Sequence, residues 1–165
     1  MDTRHVDTLE IILSRRSIRA FTGESISDED VNTLKEATLR APTAGNMVQW
    51  SVIDVREPQR KKRLAVLCDN QPFIASAPLV WVFLADTQKW ADYYAGSRSA
   101  EKAAVLGKKG RNPGWGDMHL NLQDAIIAAQ TAVLAAEALG LGSCYIGDIV
   151  ENFEQVSSLL EQIGR

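Results

Sequence analysis

Residues 120–139 form the stretch that most restricts how this chain can fold. Leu122, Ile126, Ala129, Val133 and Ala136 recur at helical spacing, and Ala125, Ala128, Ala132 and Ala135 lie close beside them. A helix that is apolar nearly all round has to be buried. Burial inside one domain and close packing against a second subunit both satisfy that demand; small residues on two faces favour the subunit contact. Gly140 is placed to cap the helix C-terminus.

The chain has 165 residues, 45% hydrophobic and 24% charged, which suits one globular domain with a sizeable core. A net charge of -3 and a pI near 5.4 argue against a nucleic-acid binder, which needs a broad basic face. Cys68 and Cys144 stand far apart, in neither a disulfide framework nor a metal spacing, and two lone thiols suit a reducing cytoplasm. Residues 1–10 show no signal peptide, and no apolar run approaches the roughly 18 residues of a membrane span.

Leu9, Ile12 and Leu13 follow helical spacing after an Asp7 cap, and this helix leads into Arg15-Arg16-Ser17-Ile18-Arg19. Ser27 with Asp28, Glu29 and Asp30 announces a second helix towards Arg40, stopped by Pro42. Residues 49–55 are β-rich, and residues 79–85 are continuously apolar, as expected of a strand covered on both faces. Between them, residues 58–67 read as a helix with Pro at its start. Residues 143–146 read as a short strand, and Asn152 opens an amphipathic helix carrying Phe153, Val156, Leu159, Leu160 and Ile163. Neither a repeat nor a linker is visible, so residues 1–165 are taken as one domain. Residues 96–116, with Lys108, Lys109, Arg111 and five glycines, have the composition of a mobile loop or a surface insertion.

Three guanidinium groups in five positions of an acidic chain ask for an anion. The rigid guanidinium fork matches phosphate oxygens, although a basic helix end also complements the helix dipole. Other chemistries are set aside. Residues 140–147, Gly-Leu-Gly-Ser-Cys-Tyr-Ile-Gly, place their third glycine too late for a dinucleotide fingerprint, and Lys108-Lys109 lacks P-loop spacing. His5 and His119 are the only histidines, no G-x-S-x-G occurs, and no cluster at ligand spacing suggests a metal. Asp117 and His119 read as a helix-start cap beside a surface residue. A chain with a phosphate site but no nucleophile suits a cofactor that carries the chemistry.

Four blocks, residues 15–21, 41–46, 70–74 and 140–147, occur in the order and approximate spacing of the FMN-dependent nitroreductase family, which the chain resembles over most of residues 9–163. Gln71 and Tyr145-Ile146-Gly147 are most similar to its NADPH-preferring, oxygen-insensitive branch. The resemblance implies an α+β fold, a three-layer α/β/α arrangement with a mixed, mainly antiparallel central sheet. It also implies a cytoplasmic homodimer with one FMN at each end of the subunit interface. Arg15 and Ser17, with Arg16 beside them, would bind the FMN phosphate and ribityl chain, and Arg19 would face the pyrimidine edge. Reduction leaves negative charge near flavin N1 and O2, which a guanidinium stabilises. Thr43, Ala44, Gly45 and Asn46 match the loop that wraps the cofactor, largely from the other subunit. Gln71 matches a residue that hydrogen-bonds the pyrimidine, and Tyr145, Ile146, Gly147 and Asp148 match the segment along one face of the ring. The implied reaction passes hydride from NAD(P)H through flavin N5 to a nitroaromatic, a quinone or a similar small acceptor, with no protein nucleophile, metal, nucleic acid or membrane.

Two departures qualify that expectation. Asp148 stands where the NADPH-preferring branch usually has a second glycine, and its carboxylate would disfavour an anionic reduced flavin. The family also continues beyond the helix matched by residues 152–163 with a strand, an arm around the partner subunit and further cations for the phosphate. With Arg165 last, weak FMN retention is implied. A non-catalytic relative that binds flavin poorly, and a relative that consumes flavin or dehalogenates an aromatic, are the alternatives.

Overall fold

The computed structural model describes residues 8–109 and 112–161. The Asp7 cap, His5, Arg111, Ile163 and Arg165 lie outside the described residues. The chain divides into two compact units: Met1–Arg40, Ile53–Val82 and Gln130–Arg165 form one, and Ala41–Val52 with Phe83–Ala129 form the other.

In the first unit, α1 (Thr8–Ser14) is followed by α2 (Asp28–Leu39). Ser27 caps α2: its hydroxyl accepts from the Asp30 N–H at 3.0 Å, and three acidic residues fill the first turn, where the helix dipole favours them. Helix α3 (Pro58–Leu67) begins at Pro58 as expected. It packs on the short α4 (Pro72–Ser76) and on α8 (Phe153–Glu161). Leu64, Ala65, Leu67, Ile74, Val156 and Leu160 are buried there. Phe153, expected on the apolar face of α8, is exposed.

The second unit holds α5 (Thr87–Ala95) and α6 (Ser99–Val105), both unexpected from the sequence. The side chain of Asp86 caps α5 by accepting from the Lys89 N–H. The segment 96–116 therefore carries α6 and the start of α7 (Trp115–Ala138). Ala41, Trp50, Ala125 and Ala128 form the core of this unit, with Val48, Val52 and Phe83 packed against them.

Strands β1 (Trp50–Asp54) and β2 (Trp81–Ala85) pair with each other, and both, like α7, supply residues to the two units. Val55 N–H donates to the Val80 carbonyl at 2.9 Å and Asp86 N–H to the Gln49 carbonyl at 3.1 Å, an antiparallel register. Two expectations are corrected. In β2 only Val82 is buried, because a sheet of two described strands covers neither face fully. Residues 143–146 form no strand among the described residues: Ser143 makes a single parallel bridge to Ser17, with α1 ending on one side and a 3-10 turn (Asp148–Val150) beginning on the other. Within the single chain, α7 is buried on one face only. Its small and polar residues, Asn121, Asp124, Ala125, Ala128, Ala129 and Ala132, face inward, whereas Leu122 and Ile126 are exposed.

Candidate functional site

Helix α1 ends where the arginines begin. Arg15 N–H still donates to the Ile11 carbonyl at 3.1 Å, and the Ser14 hydroxyl turns back to the Glu10 carbonyl at 2.6 Å. The chain then runs beside the segment that leaves α7. Gly140, at φ 78°, takes the left-handed turn that ends α7, and Leu141 N–H donates to the Ala136 carbonyl at 2.8 Å. Gly142 lies against Ile18, where a Cβ would sit 2.7 Å from Ile18 Cγ1. That close approach brings Ile18 N–H to the Ser143 carbonyl at 2.9 Å. The Ser143 hydroxyl in turn donates to Glu137 at 3.1 Å.

This bridge joins the first and last blocks. Arg15 is half-buried and its field reaches Tyr145, whose phenol is raised above its ordinary value by burial, with Arg15 opposing. Arg16, Ser17 and Arg19 are exposed. Among the described residues the three ion pairs are Arg56–Asp54, Arg60–Glu57 and Arg98–Glu101, so none of Arg15, Arg16 and Arg19 is neutralised by a carboxylate there.

The third block sits in the turn between α3 and α4. Asp69 and Asn70, at φ 55° and 51°, reverse the chain, and Gln71 N–H donates to the Ala65 carbonyl at 2.9 Å. The Gln71 amide nitrogen then donates twice, to the Cys68 carbonyl at 2.9 Å and to Asp148 Oδ2 at 2.5 Å. Asn152 Nδ2 donates to the Leu67 carbonyl at 2.7 Å, so the turn is tied to the 148–152 segment twice. Cys68, fully buried beneath it, has its thiol pushed above the ordinary value of 9.0, first by burial and then by Asp148 and Glu151. Gly147 adopts φ -77° and Asp148 keeps a negative φ, so its side chain is accommodated without strain.

The second block belongs to the other unit and is held from below. Gly45, Asn46 and Val48 take φ 59°, 56° and 49°, so the loop after Thr43 is largely left-handed. Asp124 of α7 accepts from the Thr43 hydroxyl and, through Oδ1, from the Ala44 N–H at 3.1 Å. Thr43 Oγ1 accepts from the Val48 N–H at 2.9 Å. From α5, Lys89 Nζ donates to the Val48 and Trp50 carbonyls at 2.8 Å each, and Trp90 Nε1 donates to the Met47 carbonyl at 2.8 Å.

In the first unit Ser17 is thus bridged to Ser143, Arg15 acts on Tyr145 and Gln71 is bonded to Asp148, while Thr43, Ala44, Gly45 and Asn46 lie in a hydrogen-bonded loop of the second. Asp124, Lys89 and Trp90 were missed in the sequence. Asp124 carried a signal, a solitary charge within residues 120–136; Lys89 and Trp90 carried none, because α5 was not foreseen. Among the described residues there is no cluster of metal-ligating side chains, and no helix is long and apolar enough to cross a membrane.

Comparison with known proteins supplies the context for this arrangement. Residues 12–162 match the profile of the nitroreductase family. The chain is 34% identical over 155 residues to the FMN reductase (NADPH) of Bacillus subtilis, an alignment covering 94% of this chain and 59% of that protein. With the NADPH-flavin oxidoreductase of Vibrio harveyi it shares 32% identity, covering 93% and 59%. The solved NADPH:FMN oxidoreductase from Vibrio harveyi complexed with NAD+ superposes at a TM-score of 0.81 with 32% identity, covering 93% of this chain and 61% of that one. NfrA1 nitroreductase from B. subtilis superposes at 0.80 with 32% identity, covering 94% and 60%. The chain spans about three-fifths of the length of these curated relatives. With the family profile matched over most of the chain and the fold shared with solved members, this chain belongs to the nitroreductase family.

Proposed function

We propose that the chain forms the FMN-binding part of a cytoplasmic, homodimeric NAD(P)H-dependent oxidoreductase that reduces a flavin, a nitroaromatic, a quinone or a similar small acceptor. The observation that carries this is the 15–19 loop. Its guanidinium groups meet no carboxylate among the described residues, and its backbone is bridged to the 143–147 segment.

The residues present fit FMN. Arg15, Arg16 and the exposed Ser17 hydroxyl offer charged and neutral donors to a phosphate dianion. Arg19 is free to face the pyrimidine edge and Gln71 presents an amide to it, while Tyr145, Ile146, Gly147 and Asp148 line one side of the ring. Thr43, Ala44, Gly45 and Asn46 form the loop for the partner subunit's cofactor. When bound, FMN supplies the hydride-accepting and hydride-donating chemistry. The chain's own part is to bind and orient, with the Arg19 charge favouring the reduced ring. The names of the relatives, FMN reductase and NADPH-flavin oxidoreductase, support the reductase over a non-catalytic role. The free thiols of Cys68 and Cys144 fit a reducing compartment.

Purified protein incubated with FMN and passed through gel filtration should elute yellow, and NAD(P)H should bleach the flavin until an acceptor is added. Arg15→Ala should weaken FMN binding by about 10- to 100-fold, as expected for one charge-assisted hydrogen bond. Arg19→Ala should lower the flavin potential. Colourless protein with no saturable quenching of FMN fluorescence overturns the assignment.

A further inference from the structure

The Gln71 side chain shows which way its amide faces. A glutamine amide has two N–H donors on Nε2 and a carbonyl acceptor at Oε1. Here Nε2 donates to the Cys68 carbonyl at 2.9 Å and to Asp148 Oδ2 at 2.5 Å, so both donors are consumed inside the protein. A flipped amide would set Oε1 against two acceptors, so the orientation is locked. Among the described residues Oε1 meets no donor, and Gln71 is only half-buried. Asp148 opens a 3-10 turn that Asn152 anchors to the Leu67 carbonyl at 2.7 Å, so the carboxylate is held in place from its own segment.

We infer that Asp148 is a positioning residue that makes Gln71 a pure acceptor. The site then selects a ring with an N–H donor at its pyrimidine edge, the N3–H of an oxidised flavin, over one whose N3 is alkylated. This rests on the FMN assignment above. It goes further by giving the contact a polarity and by giving Asp148 a role in cofactor recognition besides its unfavourable charge.

The test compares FMN with N3-methyl-FMN by fluorescence titration in the wild-type protein, Asp148→Ala, Asp148→Asn and Gln71→Ala. Wild type should prefer FMN by at least about tenfold, the factor expected for one lost hydrogen bond to a site left unpaired. Part of that preference comes from the bulk of the methyl group, and Gln71→Ala measures that part. In Asp148→Ala the freed amide can turn and donate, so the preference should fall towards the Gln71→Ala value. Asp148→Asn, whose Oδ1 still accepts, should retain it. In flavin-free protein the Gln71 side-chain amide protons should exchange slowly with water in wild type and quickly in Asp148→Ala. An unchanged preference in Asp148→Ala with FMN still bound, or equal amide exchange in the two proteins, overturns the inference while leaving FMN binding intact. Failure of wild type to bind either flavin removes the FMN assignment and this inference with it.

Discussion

Asp124 is the side chain on which the left-handed loop after Thr43 rests. It is 3% exposed and takes hydrogen bonds from both the Thr43 hydroxyl and the Ala44 N–H. Beyond it, Val48 is β-branched yet sits at φ 49°, a conformation costing on the order of 1–3 kcal/mol. Such strain persists only where neighbours over-determine it, and Thr43 Oγ1, Lys89 and Trp90 do so here. Asp124→Ala leaves two part-buried donors without their acceptor and should destabilise the fold by about 1–3 kcal/mol in urea unfolding. Asp124→Asn, which keeps one acceptor, should lose about half as much. Thr43→Val should weaken further substitution at 124, because the two act as one unit. An Asp124→Ala midpoint equal to wild type would show that the loop is held elsewhere. The signal for Asp124 stood in the sequence as a lone charge in an alanine-rich helix, but its partner, some 80 residues earlier, did not.

At the level of elements, the two ends meet at Gly142. Helix α1 delivers the arginines, α7 delivers the 143–148 segment, and their bridge exists because residue 142 lacks a Cβ. Gly142→Ala would put a methyl 2.7 Å from Ile18 Cγ1 and 3.1 Å from Ile18 Cβ. Ile18 is stiff at χ1, so the bridge itself must shift. The variant should lose about 1–3 kcal/mol and bind FMN more weakly; adding Ile18→Ala should recover part of both losses. No recovery would mean the clash lies elsewhere. Helix starts were legible because they are local chemistry: Ser27 with three acids behind it, and Pro58 at a first turn. Helices α5 and α6 were not, because residues 87–105 show no clear apolar period, and α5 is supported by a distant contact, Trp90 with Met47. The strand expected at residues 143–146 shrank to one bridge because pairing needs a partner of matching length, a tertiary condition.

For the whole molecule, α7 turns its bulky side chains outward. Trp115, Met118, Leu122 and Ile126 share one helical face and are 80%, 46%, 45% and 63% exposed. A contiguous apolar face of this kind marks a protein–protein contact, in keeping with the proposed homodimer. Ile126→Glu should convert a dimer to monomer in sedimentation velocity and remove FMN retention with it, since the 43–46 loop is proposed to serve the partner's cofactor. A dimer that survives Ile126→Glu would place the interface on another face.

Family membership was legible in the chain alone, because it depends on the order and spacing of short strings. So were the starts of α2 and α3, which depend on neighbours within one turn. Tertiary structure alone decided that α7 buries alanines and shows its large residues, that Asp124 carries the left-handed loop, and that Gln71 spends both donors on Cys68 and Asp148. Those outcomes turn on which distant groups come within hydrogen-bond reach. No local pattern records that, because a polar side chain takes its role from the partner that burial leaves to it.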